Sequence, residues 1–434
     1  MQARTLQGFM ELLPQEQIVF NHIKETIAKT YELFGFAPLD TPILELSEVL
    51  LSKSGGETEK QIYEFKKGDT NLAMRFDLTV PLAKYVSLYH NNLTFPFKRY
   101  QIGKVYRGER PQKGRFREFY QCDIDIIDRD NLDIVYDAEL PAVIYTIFNQ
   151  LNLPDFKIYI NNRKLISGYL QHLQISDYTT EILRIVDKIK KIPEAVFLEE
   201  LKNLKLSDET NSQLLNFIKI KGSNQEIISQ LSQLQINNET FNEGLSELKA
   251  VISQAEFLNV PAQNIQIDLS ITRGLDYYTG TVYETFFNDY PQFGSVCSGG
   301  RYDNLSSVFS NQKLPGVGIS IGLTRLFDQL RSNNLLPIKA LTPNKALLIT
   351  QGEEFISNAV KLASDLRKAN IAVDIMYRNC KFKKKMEYAN KIGVPYLIII
   401  GEEEVQNNTF TIKNMQTGEQ LTLNLAEIIN HLKA

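Results

Sequence analysis

An α+β fold is predicted for this 434-residue chain, with an antiparallel-sheet core, a helical insertion and a C-terminal α/β domain. Three observations predict it. Between residues 97 and 128, FKRYQIGKVYRGE and RFREFYQCDIDIID are rich in aromatic and β-branched residues and flank the polar RGERPQKGR, which reads as a long hairpin with a basic tip. Residues 166–255 hold few glycines, a single proline (Pro193), and Leu, Ile, Lys and Glu at helical spacing, which reads as a separate all-helical unit. After the proline-punctuated linker NNLLPIKALTPN, strand and helix patterns alternate over about 90 residues.

In chain order, residues 15–34 form an amphipathic helix through Ile18, Val19, Ile23, Ile27, Leu33 and Phe34, closed by Gly35. FAPLDTPILE follows as an extended segment. Its Pro38 and Pro42 suit an edge or an interface, because proline cannot donate to a sheet ladder. Residues 72–90 are read as a strand, a turn at Pro81 and a helix. Beyond the hairpin and the helical stretch, IQIDLS, TVYETFF and SVCSGG are strands, and GVGISIG is a strand running into the helix LTRLFDQLRSN. In the last domain KALLIT, IAVDIMY and VPYLIIIG are strands separated by two helices. A hairpin (NTFTIKN, EQLTLN) and a closing helix complete it. The predicted organisation is therefore a core in two parts, 1–165 and 256–333, split by the insertion 166–255, and a C-terminal domain at 344–434.

Composition narrows the function. Lys plus Arg number 48 against 51 Asp plus Glu, a net charge of -3, so no overall basic excess marks a nucleic-acid binder. Three cysteines (122, 297, 380) form no CxxC pair, and the four histidines (22, 90, 172, 431) form no HExxH or HxxxH pair, so no metal ligand set is assigned. The longest apolar runs suit buried strands and no segment reaches 18 apolar residues, which predicts a cytoplasmic protein with no membrane partner. There is no GxxxxGK[ST] loop, no strong GxSxG elbow and no Cys–His pair placed for nucleophilic work.

Arginines recur in the strand-and-turn segments: Arg107, Arg110, Arg115, Arg117, Arg273, Arg301 and Arg325. Any one of them alone reads as surface charge. Arg325, in the first turn of a helix after a glycine-rich strand, lies where backbone N–H groups and the helix dipole favour anions, and guanidinium forks suit phosphate and carboxylate. In the second strand of the hairpin, Arg117, Phe119, Gln121, Asp123 and Asp125 share one face, a polar one. Gln121 and Asp125 lie roughly 13 Å apart at about 3.3 Å per residue, enough to hold opposite ends of an amino-acid-sized ligand. A metal site from Asp123, Asp125, Asp128 and Asp130 is the competing reading. Alternation with isoleucine favours a plain half-exposed strand. RGLDYYTGTVYE (273–284) and SGGRYDNL (298–305) add adjacent tyrosines and a Gly299–Gly300 pair that lets a ligand approach the backbone. Cys122 and Cys297 read as buried small residues.

Together these segments resemble the histidyl-tRNA synthetase family of class II aminoacyl-tRNA synthetases. The helix and strand ending at Pro42 look like motif 1, YRGERPQKGRFREFYQCDID like motif 2 and GVGISIGLTRL like motif 3. RGLDYYTGTVYE and SGGRYDNL look like the two signatures peculiar to the histidine enzyme. The resemblance implies a homodimer that activates L-histidine with ATP, with Mg²⁺ held through the ATP phosphates, and charges the tRNA for histidine. It implies that Asp77, Thr79 and Gln121 bind the α-amino group, with Asp77 one methylene shorter than the Glu of some members. Arg107 would contact the substrate carboxylate and the α-phosphate. Glu109 and Arg115 would engage adenine and the phosphates. Asp125 and Tyr278 would grip the imidazole, and Tyr277 and Tyr302 would complete the pocket beside Ser298, a position often held by Ala. Arg273 would be the catalytic arginine and Arg325 would hold the γ-phosphate. The insertion would contact the tRNA acceptor arm, and the C-terminal domain would read the anticodon. In that domain, where 12 Lys plus Arg face 10 Asp plus Glu, the cluster Lys381, Lys383, Lys384 and Lys385 reads either as a solvated face or as a phosphate contact. A synthetase-like regulatory paralogue would lack the C-terminal domain and the catalytic arginine, both of which this chain keeps.

Overall fold

The computed structural model describes residues 2–52, 59–110, 114–190, 192–272, 278–303, 305–338 and 342–433. The chain divides into two units, residues 1–10 with 23–333 and residues 11–22 with 334–434. In chain order the strands of the first unit are β1 (Ala37–Pro38), β2 (Leu44–Leu46), β3 (Glu64–Lys67), β4 (Thr70–Met74), β5 (Phe97–Tyr106), β6 (Glu118–Ile127), β7 (Phe156–Asn162), β8 (Ile265–Ile267), β9 (Thr281–Phe287), β10 (Cys297–Tyr302) and β11 (Gly316–Ile321).

The β5–β6 hairpin organises this unit. Its ten-residue strands alternate polar and apolar side chains, so one face must be covered. Cys122, Ile124 and Ile126 are buried on that face. The helix Pro14–Leu33 ties on there through the Tyr31 hydroxyl, which donates to the Cys122 carbonyl at 2.9 Å. Among the described residues the hairpin lies in an eight-stranded sheet of order β1-β5-β6-β11-β10-β9-β7-β8. The run from β5 to β7 is antiparallel, and the edge pairs β1–β5 and β7–β8 are parallel. A smaller sheet, β2-β4-β3, leads into the helix Thr79–Tyr89. Pro81 does not form a turn before that helix but sits in its first turn, where a missing N–H leaves no intrahelical bond unmade. Arg301 of β10 is fixed structurally. It pairs with buried Asp137 of the helix Val135–Gln150 at 2.7 Å and donates to the Leu132 and Asp133 carbonyls.

Between β7 and β8 the chain is helical, through Arg163–His172, Thr179–Val186, Glu194–Lys202, Asp208–Ile218, Asn224–Gln233 and Glu239–Phe257. The first begins where the Asn162 side chain accepts the Lys164 N–H, an N-cap. The last packs on the first and on Val135–Gln150. The Tyr169 and Phe217 rings stack at 4.2 Å and bind two helices of this stretch.

In the second unit, β12 (Ala346–Thr350), β13 (Val373–Ile375), β14 (Tyr396–Ile400), β15 (Phe410–Asn414) and β16 (Gln420–Leu423) form a sheet of order β13-β12-β14-β15-β16. β13, β12 and β14 are parallel, and the last two strands add antiparallel. Helices Ile356–Lys368 and Leu425–Lys433 cover one face, and Phe382–Ile392 covers the other. The sequence reading missed the short helix Glu402–Asn407. Lys385 departs from the expected basic cluster. It is buried, and its ammonium donates to the Thr350 carbonyl at 2.7 Å, whereas Lys381, Lys383 and Lys384 are exposed. No helix among the described residues is long and apolar enough to cross a membrane.

Removing one partner of a buried ion pair leaves the other charge uncompensated. Asp137→Asn is therefore expected to destabilise the first unit by about 3–5 kcal/mol, read as a lower denaturant midpoint. An unchanged midpoint would contradict the structural role of Arg301.

Candidate active site

The polar face of the sheet forms the site. Strand register places its side chains in rows. Arg99 of β5 lies opposite Asp125 of β6, which lies opposite Gly318 of β11, then Gly300 of β10. The next row runs Gln101, Asp123, Ser320, Ser298. Gln121 stands one step further toward the hairpin loop on the same face. The glycines are required by close approach. A Cβ on Gly318 would fall 2.2 Å from Asp125 Oδ1, one on Gly300 would fall 2.9 Å from the Tyr278 ring, and one on Gly316 would fall 2.5 Å from the Tyr302 ring. The space so kept lets Asp125 and the two tyrosines converge. The Tyr302 hydroxyl donates to Asp125 Oδ1 at 2.8 Å, and Arg99 Nη2 pairs with Asp125 Oδ2 at 2.6 Å. Each oxygen keeps a further lone pair for a donor, and among the described residues no group of three or more His, Cys, Asp or Glu is gathered as a metal-ligand set.

Further toward the loop the site gathers acceptors that lack donors. Gln121 Nε2 donates to the Ser320 hydroxyl at 2.8 Å, which aims its carbonyl oxygen inward. Gln121 Oε1, Asp77 Oδ2 and Asp123 Oδ1 are all buried and make no hydrogen bond in the structure. Asp77 stands just before the helix Thr79–Tyr89, and its other oxygen accepts the Val80 N–H at 3.1 Å. Thr79, half-buried, is the first residue of that helix. Burial dominates the protonation of the carboxyls. It pushes Asp77 up to about 6 against its backbone N–H bond and Arg107, and Asp123 up to about 7 against Arg99. Asp125 is also raised by burial, with Arg99 and the Tyr302 hydroxyl opposing.

A cleft of about 430 Å³ continues the site, lined by Arg107, Glu109, Arg115, Gln121, Ser298 and Arg325 among others. Arg107 is held by Nε donating to the Phe76 carbonyl at 3.0 Å and by the Phe119 ring, 5.1 Å from its guanidinium carbon. Arg115 meets Glu109 at 3.4 Å, with Arg115 half exposed. Arg325, in the first turn of the helix Leu323–Ser332, donates to the Phe293 carbonyl at 2.6 Å. The cleft thus carries guanidinium charge suited to phosphates, and the sheet face that it continues carries carboxylates suited to an ammonium group and a ring N–H. Cys297 lines the cleft but is 2% exposed, Cys122 is fully buried, and burial raises both thiols, so neither is a ready nucleophile.

A family model described as histidyl-tRNA synthetase matches residues 8–326, and one described as an anticodon binding domain matches 345–434. The chain belongs to the histidyl-tRNA synthetase family. A Clostridium tetani protein named histidine–tRNA ligase is 53% identical to this synthetase over 429 residues, 99% of this chain and 97% of its own length. One from Finegoldia magna is 50% identical over 432 residues, covering 100% of both. The crystal structure of histidyl-tRNA synthetase from a Nostoc species matches with a TM-score of 0.93 at 38% identity, covering 100% of this chain and 99% of that one.

Of the residues expected from the synthetase motifs, Asp77, Thr79, Arg107, Gln121, Asp125, Tyr278, Ser298 and Tyr302 belong to the sheet face and its rim, and Glu109, Arg115 and Arg325 to the cleft. Arg273 and Tyr277 lie outside the described residues. Arg99 and Ser320 are not among the residues expected from the sequence, and Asp123 is expected there on the polar strand face and as a metal ligand but not in the binding set. Arg99 carried a signal: it lies two residues before Gln101 on β5, in phase with the polar face once the hairpin register is known.

Two predictions follow from this geometry. Gly318→Ala would displace Asp125 and is expected to lower kcat/KM for histidine by about 100-fold, the scale of a 1 Å misplacement. Wild-type kinetics in that variant would contradict the close approach. The second concerns pH. A carboxyl with a raised folded-state pKa keeps protons the unfolded chain has already released, so stability declines as pH rises from about 4 through 7. Asp123→Asn should flatten the upper part of that decline, which denaturant midpoints at pH 5 and pH 8 measure. Equal declines in variant and wild type would contradict the assignment.

Proposed function

We propose that this synthetase joins L-histidine to ATP as histidyl-adenylate, releasing pyrophosphate, and then transfers the histidyl group to the 3′ end of the tRNA for histidine. The observation that carries the site assignment is the set of buried acceptors lacking donors, Asp77 Oδ2, Gln121 Oε1 and Asp123 Oδ1, beside an Asp125 fixed by Arg99 and Tyr302. An α-ammonium group brings three N–H donors. Asp77 with Thr79 and Gln121 takes it, and Asp125 with Tyr278 takes the imidazole, in a pocket completed by Tyr277, Tyr302 and Ser298. The substrate carboxylate then points toward Arg107.

The chemistry follows from these placements. The α-carboxylate attacks the α-phosphorus in line as the bond to pyrophosphate breaks. Charge collects on phosphoryl oxygens, so positioning and electrostatic stabilisation carry the rate, with no enzyme nucleophile. Arg107 and Arg273 stabilise the α-phosphate, Arg325 the γ-phosphate end, and Glu109 with Arg115 the adenine and phosphates. When ATP is bound, Mg²⁺ held through its phosphates would neutralise part of their charge beside Arg107 and Arg325. In the second step the terminal ribose hydroxyl of the tRNA attacks the carbonyl carbon of the adenylate and AMP leaves. A pocket that hydrogen-bonds both ring nitrogens rejects analogues lacking them by about 10⁴–10⁵, so the helices between β7 and β8 serve the acceptor arm rather than editing. The second unit takes the anticodon stem, with exposed Lys381, Lys383 and Lys384 available to phosphate. The enzyme works as a cytoplasmic homodimer.

Pyrophosphate exchange with each of the twenty amino acids tests this directly. Exchange is expected with histidine alone, and Arg273→Ala should lower it about 10²–10³-fold. Exchange with another amino acid would overturn the substrate, and full activity in the variant would overturn the role of Arg273.

A further inference from the structure

We propose that Arg99 is a positioning residue for histidine recognition, fixing the Asp125 carboxylate in one orientation as a pure hydrogen-bond acceptor against the substrate ring. The inference rests on the assignment of Asp125 to the imidazole, and the experiment below separates the two.

Arg99 is completely buried on β5, directly opposite Asp125 in the β5–β6 register. Its Nη2 meets Asp125 Oδ2 at 2.6 Å and makes a long contact with the Leu78 carbonyl at 3.5 Å. The Tyr302 hydroxyl holds Oδ1 at 2.8 Å, and the bare backbone of Gly318 leaves the space that this oxygen occupies. The carboxylate is therefore bounded by a charge, a hydroxyl and a backbone, with no room to turn.

Stability does not explain such an arrangement. A buried ion pair replaced by apolar side chains of similar volume often leaves a protein equally or more stable. Here the cost is higher still, because Arg99 Nε and Nη1 are buried with no hydrogen-bond partner in the structure. A full positive charge kept in the sheet at that expense, beside the substrate pocket, points to recognition.

The recognition it gives is specific. An ionised carboxylate has no proton to donate, so the ring atom facing it must be an N–H. A neutral imidazole then presents an acceptor at its other nitrogen, which suits the Tyr278 hydroxyl as donor. Without Arg99, a carboxyl this deeply buried takes up a proton more readily and can either donate or accept, which blurs the selection.

The test is pyrophosphate-exchange kinetics on the full-length chain for Arg99→Met, Arg99→Lys, Asp125→Asn and the Arg99→Met/Asp125→Asn double variant. Arg99→Met is expected to raise the histidine KM about 100-fold with a smaller change in kcat, and to leave the ATP KM within about twofold. Arg99→Lys, which keeps the charge, should recover at least about tenfold of that loss. In the Asp125→Asn background, Arg99→Met should change the histidine KM by less than about threefold, because a residue acting through Asp125 has nothing left to act on. A histidine KM within about threefold of wild type in Arg99→Met would overturn the proposal, as would a loss that adds in full to that of Asp125→Asn. If Arg99→Met does not fold, the same cycle with Arg99→Lys carries the comparison: a loss that vanishes in the Asp125→Asn background supports the proposal, and one that persists overturns it. An Asp125→Asn variant with wild-type histidine KM would remove the assignment of Asp125, and this proposal with it.

Discussion

Asp123 and Asp125 are buried on one face of the sheet, with Asp77 beside them just before the helix Thr79–Tyr89, Arg99 as the cation paired with Asp125 and Arg107 at the rim. Most of what surrounds them can be understood as the means of keeping that charge in place. Glycines on β10 and β11 clear room for side chains, the start of the helix Thr79–Tyr89 supplies an N–H to Asp77, and Ser320 turns Gln121 so that its carbonyl faces inward. The opposite face is packed with Cys122, Ile124 and Ile126 against helices, which makes the sheet a rigid base for the polar side. A site built on strands in this way holds its groups more closely than loops can.

That arrangement sets stability against binding. Acceptors left without donors, and carboxyls whose protonation is shifted by burial, make the ligand-free site locally unfavourable. On the proposed assignment a zwitterionic amino acid would bring the missing donors, and its own carboxylate would be matched by guanidinium charge in the cleft. The free energy of binding would then be concentrated on groups that only a correctly shaped ligand can satisfy, which would select a small substrate strongly without a second sieve.

Much of this was legible in the sequence, and what was not has a physical reason. The period-two alternation of RFREFYQCDIDIID placed Gln121 and Asp125 on one face without any knowledge of tertiary structure. The partners of those residues depend on register, and register depends on how the hairpin and the later strands align, so Arg99 and Ser320 stayed hidden. The arginines were grouped by residue type, but strand phase separates them. Arg301 faces the helices and is consumed by Asp137, while Arg107 and Arg325 reach the cleft. Lys385 shows the same limit in a helix. Four lysines near one helix start look alike in sequence, yet the turn of the helix carries the last of them inward until its stem lies in the core and its ammonium finds the Thr350 carbonyl. Pro81 was read as a break because proline so often is one, although the first turn of a helix accepts it without loss.

The central claim is that the buried carboxylates and amide are a preformed mould for histidine. The most direct measurement is a crystal structure of the enzyme with L-histidine bound. The imidazole is expected between Asp125 and Tyr278, with one ring nitrogen within about 3.2 Å of the Asp125 carboxylate, and the α-ammonium within the same distance of Asp77 and Gln121. A histidine bound in the reverse sense, or with its ring away from Asp125, would contradict it.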